Sequence, residues 1–437
     1  MKTSPRHTPW EYFATCIVLA GLLMTACDAA DESQAGELPS AHTTPTGPVP
    51  ASSVPSTVAA PLAPLHGTIR VWVDWAPEEM SNLLALVESF QQSHPGVAFA
   101  VSYYSPGTLL TSVESAAGGQ DSPTLFFGPS SWGPGLWREG LVQDVAERVL
   151  PEHRQLISLA AWSQVEVGPS IIGMPIELQG QVLFRNRALL SQEAGTVGSL
   201  VQLARQRSDE GLIGARLDLG FDSSSGFLAA CGDLRLTQDG QVRLDDATGV
   251  CWLTLMQALS ATGVASYGDD SDRYAFLRRL SPWLLDRSDL LAELGQSLGE
   301  ENLAVDAWPT FEATGRRLAS HVWTQNAYFS SRAAPQDTEA AWAFLAFLLT
   351  PEAQMKLSLA GSKRHLPVVS GLPLGDSRLA ELALALQDGI GLPQVDQMAV
   401  LAAILDRAGR SVAEQGVDPT VAWGRAMENL RTSPSEP

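Results

Sequence analysis

Apolar residues along this chain follow two rhythms, and the stretches that keep neither are as informative as those that do. Gly67-Thr68-Ile69-Arg70-Val71-Trp72-Val73 alternates in β-rich fashion and predicts a strand. Met80, Leu83, Leu84, Val87 and Phe90 then recur at helical spacing. Pro77 with Glu78 and Glu79 suits the opening of that helix, because proline's missing donor is harmless there and acids favour the dipole. His94-Pro95-Gly96 stops it, and Val97–Tyr104 reads as a second strand. Strand, helix and strand in about 35 residues form a βαβ unit, which implies a parallel sheet covered by helices. Ligands of such sheets sit at the carboxyl ends of strands, here near Asp74 and Trp75.

The same reading continues downstream. Pro123–Phe127 is a third strand, leading through Gly128-Pro129-Ser130-Ser131-Trp132 into a helix that carries Leu136 and Trp137. Leu234–Gln238 and Gln241–Asp245 flank Asp239-Gly240, a tight hairpin turn. Thr338 is the expected cap of a helix over Glu339–Leu349. Thr350-Pro351-Glu352 opens the next helix, Gly361 ends it, and Asp418-Pro419 starts the last one.

Before the first strand neither rhythm holds. Lys2, Arg6 and His7 precede an apolar run from Tyr12 to Ala26, too short for a dependable membrane span, which predicts a secretory signal over residues 1–26. Leu23-Met24-Thr25-Ala26-Cys27 resembles a bacterial lipobox, so Cys27 is the expected lipidation site and membrane anchor. Residues 27–66 are rich in Pro, Ser, Thr and Ala without periodicity, the composition of an extended tether. The remainder, 67–437, is the functional body.

Composition narrows the function. Of 437 residues 45% are hydrophobic and 17% charged, as in a globular body. The formal charge of −20, with only Lys2, Lys356 and Lys363 as lysines, argues against nucleic acid, which needs clustered Lys and Arg. Cys231 and Cys251 are either a disulfide, which an oxidising compartment permits, or two buried thiols; both roles are structural. His94, His153, His321 and His365 show no metal-pair spacing, and Asp269, Asp270 and Asp272 fail the EF-hand pattern. No phosphate-binding loop, dinucleotide fingerprint, zincin helix or nucleophile elbow is present, so no metal or cofactor is expected and the protein reads as a non-enzyme.

Several segments, in order, resemble the family of extracellular solute-binding proteins that includes the maltose-binding protein. They are Ile69–Trp72 with His94–Val97, Pro123–Phe127 with Gly140–Val142, Ile172–Pro175 with Val182–Asn186, Trp308–Phe311, and Ala340–Phe344 through Thr350–Gln354 with Leu366–Val368. The resemblance implies an α/β, two-lobed periplasmic-binding-protein fold (type II-like), each lobe a mainly parallel sheet flanked by helices, with the ligand cleft at the hinge. The first lobe would take 67–176 and 309–365, the second 177–308 and 366–437. It also implies a monomeric clamp that closes on a sugar and delivers it to the permease of an ABC importer.

Sugar faces stack on aromatic rings and their hydroxyl rims take planar polar groups. Trp283, in Ser281-Pro282-Trp283, matches the family's Gly-Pro-Trp motif, whose tryptophan stacks on sugar. Asp74, Trp75 and Trp132 follow strands at ligand-loop positions; Gln179 stands where a family acid reads hydroxyls, and Glu177 lies two residues away on the same strand face, so that one of the two is expected in the cleft. Phe221 and Asp222 match an aromatic-rich cleft loop loosely, and Trp323 fits either cleft or core. Trp72, Trp252, Trp342 and Trp423 sit at core spacing. Two departures put maltodextrin itself in doubt: Arg273–Leu277 replaces a Gly-Lys-Ala-Ala-Met motif, and Gln394–Val400 lacks the aromatic found in the maltose-binding protein. Alternatives are a clamp for polyols or glycerol phosphates, a sensory binding protein, and a glycoside hydrolase using two cleft carboxylates. A phosphate ester would want convergent arginines, and few lie near the expected loops, which favours a neutral sugar.

Overall fold

The computed structural model describes residues 64–116, 119, 122–232, 235–236, 242–263, 270–358, 366–395 and 397–432. The predicted signal peptide, Cys27, nearly all of the predicted tether, the Asp239-Gly240 turn and Gly361 lie outside the described residues. The predicted βαβ unit forms: β1 (Gly67–Val73), α1 (Pro77–Ser93) and β2 (Val97–Tyr103), with β1 and β2 parallel from Gly67↔Val97 to Val73↔Tyr103. Glu79 accepts the Ala76 amide at 2.7 Å, which caps α1 where the sequence places its start. β3 (Leu125–Pro129) runs parallel to β1 on the other side and starts two residues later than expected.

Two long strands carry the chain between lobes. β4 (Met174–Asn186) is 13 residues long. β5 (Trp283–Arg287) and β6 (Leu303–Val305) both pair antiparallel with its second half, one on each edge. β7 (His321–Phe329) pairs antiparallel with β3 and with the first half of β4. The strand order β6-β4-β7-β3-β1-β2 therefore joins both lobes in one continuous ladder.

Helices cover the ladder because each carries an apolar stripe that must leave water. On the first lobe, α1 and α2 (Pro335–Leu348) pack Leu83, Phe90, Phe344 and Leu345 against Ile69, Val71 and Phe127. This helix begins three residues before the expected cap at Thr338. Pro335 at its first turn is the stronger start signal, and the buried Thr338 instead accepts a hydrogen bond from Gln143. On the second lobe, the helices Asp246–Ser260, Gln397–Ala413 and Pro419–Thr432 enclose Trp252, Leu405 and Trp423 over Leu183 and Leu285. Ser377–Leu386 covers the opposite face through Leu379 and Leu382 against Phe184 and Leu303. Each fully buried large side chain of this kind contributes roughly 1.5–3 kcal/mol.

Cys231 and Cys251 form a disulfide (Cα–Cα 5.6 Å), which resolves the two readings of that pair. Val242–Arg243 pairs with Arg235–Leu236 as the hairpin reading expects. Trp72, Trp252 and Trp423 are buried as core, and Trp342 is half-buried against Phe329.

Candidate functional site

A cleft of about 700 Å³ opens where β3, β7 and the second-lobe wall meet. The loop after β3 contributes Ser130 and Trp132, and β7 contributes His321 and Trp323. Asp222 and Arg287 come from the second lobe, and Leu392–Val395 with Met398 and Ala399 supply the rim. Gln394, Val395, Met398 and Ala399 thus do face the cleft, with an amide and aliphatic groups in place of an aromatic one.

The local fold positions the aromatic groups. A Cβ at Gly128 would sit 2.3 Å from the Trp132 ring, so a glycine is needed for that indole to lie over the end of β3. Trp323 is half-buried, and its indole N–H donates to the Gln179 side chain at 2.8 Å across the β7–β4 pairing. The His321 ring lies 5.5 Å from Trp323, and its Nδ1 is 2.8 Å from the Asp222 carbonyl oxygen. Burial lowers its pKa below the ordinary histidine value, so the ring is neutral at pH 7 and donates from Nδ1 to that carbonyl.

Charges in the cleft balance. Glu114 and Asp222 oppose Arg138 and Arg287, and Arg287 also pairs with Asp289 at 3.3 Å. The sequence reading found few arginines near the ligand loops; two line the cleft, yet they converge with an equal number of acids.

Of the predicted site residues, Trp132, Asp222 and Trp323 line the cleft, and Gln179 reaches it through its bond to Trp323. The others are elsewhere. Trp283 is wholly buried in the second-lobe core, its N–H donating to Asp306 at 3.2 Å, so the residue expected to stack on sugar is a packing residue in this structure. Phe221 is buried edge-on to Trp252, 5.7 Å away, because the short helix it begins turns the ring inward and leaves Asp222 outward. Trp75 is buried and stacks on Phe127 at 4.8 Å. Asp74 is partly exposed beside it, outside the cleft lining. Glu177 is buried between Gln325 and Pro367 in the ladder. Gln164, His321, Arg138, Arg287 and Gln394 were missed; each sits in a segment with no motif of its own, and only the tertiary fold gathers them.

A larger hollow of about 820 Å³ lies elsewhere, lined by Leu178, Leu366–Leu372 and the 374–387 region. It presents no aromatic ring, so it suits a sugar less well than the smaller cleft does. Among the described residues no group of three or more His, Cys, Asp or Glu could hold a metal ion. None of the described helices is long and apolar enough to cross a membrane.

Residues 85–377 match the family of bacterial extracellular solute-binding proteins. No curated protein matches the sequence. Among solved structures, the cyclic α-maltosyl-1,6-maltose binding protein from Arthrobacter globiformis is 17% identical with a TM-score of 0.72, covering 84% of this chain and 98% of that one. The GacH receptor of Streptomyces glaucescens GLA.O, solved unliganded and with acarbose, is 18% identical with a TM-score of 0.64, covering 84% and 98%. The Thermus thermophilus maltotriose binding protein, bound with maltotriose, is 15% identical with a TM-score of 0.62, covering 83% and 99%. At these identities the structural likeness speaks for the two-lobed fold.

Proposed function

Because the chain belongs to the bacterial extracellular solute-binding protein family, we propose that it captures a neutral carbohydrate between its lobes and hands it to the permease of an ABC importer. The observation that carries this reading is the cleft itself. Two half-buried indoles, Trp132 and Trp323, share about 700 Å³ with Ser130, Gln394 and a balanced set of charges. Indole faces suit the C–H face of a sugar, amides and hydroxyls suit its rim, and cancelling charges favour an uncharged solute. A phosphate ester would need arginines free of acidic partners, whereas Arg287 already has Asp289. The three relatives above bind maltose-type oligosaccharides or acarbose by their descriptions, which supports the same class of cargo here.

Under this reading the protein is a carrier and not an enzyme. It is secreted through residues 1–26, is lipidated at Cys27 and stands off the membrane on residues 27–66. Its lobes comprise 67–176 with 309–365, and 177–308 with 366–437. Closure occurs because the ligand makes more contacts in the closed state.

The test is thermal unfolding and tryptophan fluorescence across mono- and oligosaccharides, with maltotriose as the first probe. A sugar at 100 times its Kd adds about 2.7 kcal/mol of stability, and Trp132→Ala or Trp323→Ala abolishes the gain. Absence of any saturable shift with any sugar refutes the carbohydrate reading, and consumption of the sugar refutes the carrier reading.

A further inference from the structure

Gln164 is wholly buried, yet it belongs to the cleft lining and no part of the capture reading uses it. Its side-chain oxygen accepts from Ser130 Oγ at 3.2 Å and from Gln394 Nε2 at 3.1 Å. Its nitrogen donates to Ser163 Oγ at 3.2 Å and to the Leu392 carbonyl at 3.1 Å. All four amide valences are thus spent, two of them on each side of a seam. The two sides belong to different cores: Trp162 and Val165 flank Gln164 in the first-lobe core, whereas Leu392 and Val395 pack on the second. Gly391 shows the same closeness independently. A Cβ there would fall 2.3 Å from Gln164 Nε2, 2.6 Å from Ser163 Oγ and 2.9 Å from the Ala160 carbonyl, so the seam admits no side chain.

We propose that Gln164 is a positioning residue for ligand capture, a fixed pivot that holds the Leu392–Gln394 rim against the Ser130 loop while the remaining cleft walls close. The rim and the Trp132 loop would then keep one separation in open and closed states, and affinity would depend on a residue that the ligand need not touch. A binding-competent state populated only in part weakens apparent affinity by that fraction. The affinity arm of the test rests on the carbohydrate reading; the exchange arm does not.

The experiment compares the full chain with Gln164→Ala, Gly391→Ala and a control, Gln354→Ala. Gln354 is another wholly buried glutamine, bonded to Ile176, Leu348 and Val368 away from the cleft lining. Without ligand, amide hydrogen exchange over 389–395 is expected to quicken at least ten-fold in Gln164→Ala and Gly391→Ala and to stay unchanged in Gln354→Ala, although all three melt earlier. With maltotriose as probe, the two seam variants are expected to bind about ten-fold more weakly, and the control as the parent does. Unchanged exchange at the seam, an equal effect in the control, or faster exchange beside unaltered maltotriose affinity overturns the proposal. Should Gln164→Ala fail to fold, Gly391→Ala decides from the other side of the seam. If the parent itself ignores maltotriose while exchange responds as expected, the pivot stands and the carbohydrate reading takes the failure.

Discussion

Two clusters, one in each lobe, are filled by different chemistry. One cluster of the first lobe is hydrocarbon: Phe90, Phe99, Phe344 and Phe347 meet at ring separations between 4.9 and 6.3 Å, and none needs a polar partner, while the indoles of Trp72, Trp75 and Trp162 are buried elsewhere in that lobe. The second lobe and its hinge side are filled by indoles, each with an acceptor. Trp283 donates to Asp306, Trp252 to the Ser224 carbonyl, Trp308 to the Ala385 carbonyl and Trp423 to Asp246. Asp306 in turn takes Arg185 at 2.7 and 3.0 Å, both side chains being almost wholly buried. A phenylalanine core is specified by volume, whereas an indole core is specified by volume and by direction, because an unmet buried N–H costs about 1–3 kcal/mol. The phenylalanine cluster should therefore tolerate repacking that the indole sites do not.

The strongest way to break that contrast is Asp306→Ala. It strands the Arg185 charge and the Trp283 N–H together, and the expected loss is about 3–5 kcal/mol, read from urea unfolding followed by tryptophan fluorescence. A loss under 1 kcal/mol would show the polar network to be dispensable. Burial raises Asp306 to about 6 even against the pull of the Arg185 guanidinium, so the carboxylate is largely ionised at pH 7. Next in size, Cys231→Ser opens a loop of 20 residues in the second lobe and is expected to cost about 3 kcal/mol under non-reducing conditions.

A pH titration sharpens the comparison further. Burial, with the nearby Asp286 and Asp218 charges, raises Asp272 to about 6 from an ordinary 3.8. Between those values the folded protein holds a proton that the unfolded chain has released. Stability therefore falls as pH rises from about 4 to about 6, by at most about 3 kcal/mol from this group. Asp272→Asn is expected to remove that part of the slope, and an unchanged slope would assign it elsewhere. The smallest effect belongs to the first lobe: Phe344→Leu, a near-conservative swap in a hydrocarbon core, is expected to cost under about 1.5 kcal/mol. A cost matching that of Asp306→Ala would erase the distinction between the two clusters.

The contrast also explains what was legible in the sequence. Local periodicity placed β1, α1 and β2 almost to the residue, since a half-buried strand and an amphipathic helix each print their face on consecutive positions. Of the expected ligand residues, Trp132 and Trp323 reach the cleft because they sit beside or within long strands whose pairing is repetitive. Trp283 and Phe221 were misassigned for one reason: their burial is decided by partners far along the chain, Asp306 and Trp252. Aromatic residues followed by a polar neighbour look alike on a cleft and in an indole core. Gln164 and Arg287 left no pattern at all, because a cleft between lobes is assembled from single residues of many segments.

The ladder β6-β4-β7-β3-β1-β2 has a consequence for the birth of the protein. β3 ends at Pro129, but β7, which completes the first-lobe sheet beside it, ends at Phe329, with most of the second lobe encoded between them. At 5–20 residues per second, a ribosome takes roughly 10–40 s to supply those intervening residues. During that interval the β1–β3 sheet has an open edge at β3 and lacks the helix Pro335–Leu348 over its face. The lobe that begins first cannot close its sheet until most of the other has been made, and the chain has to be kept from premature association for that whole time.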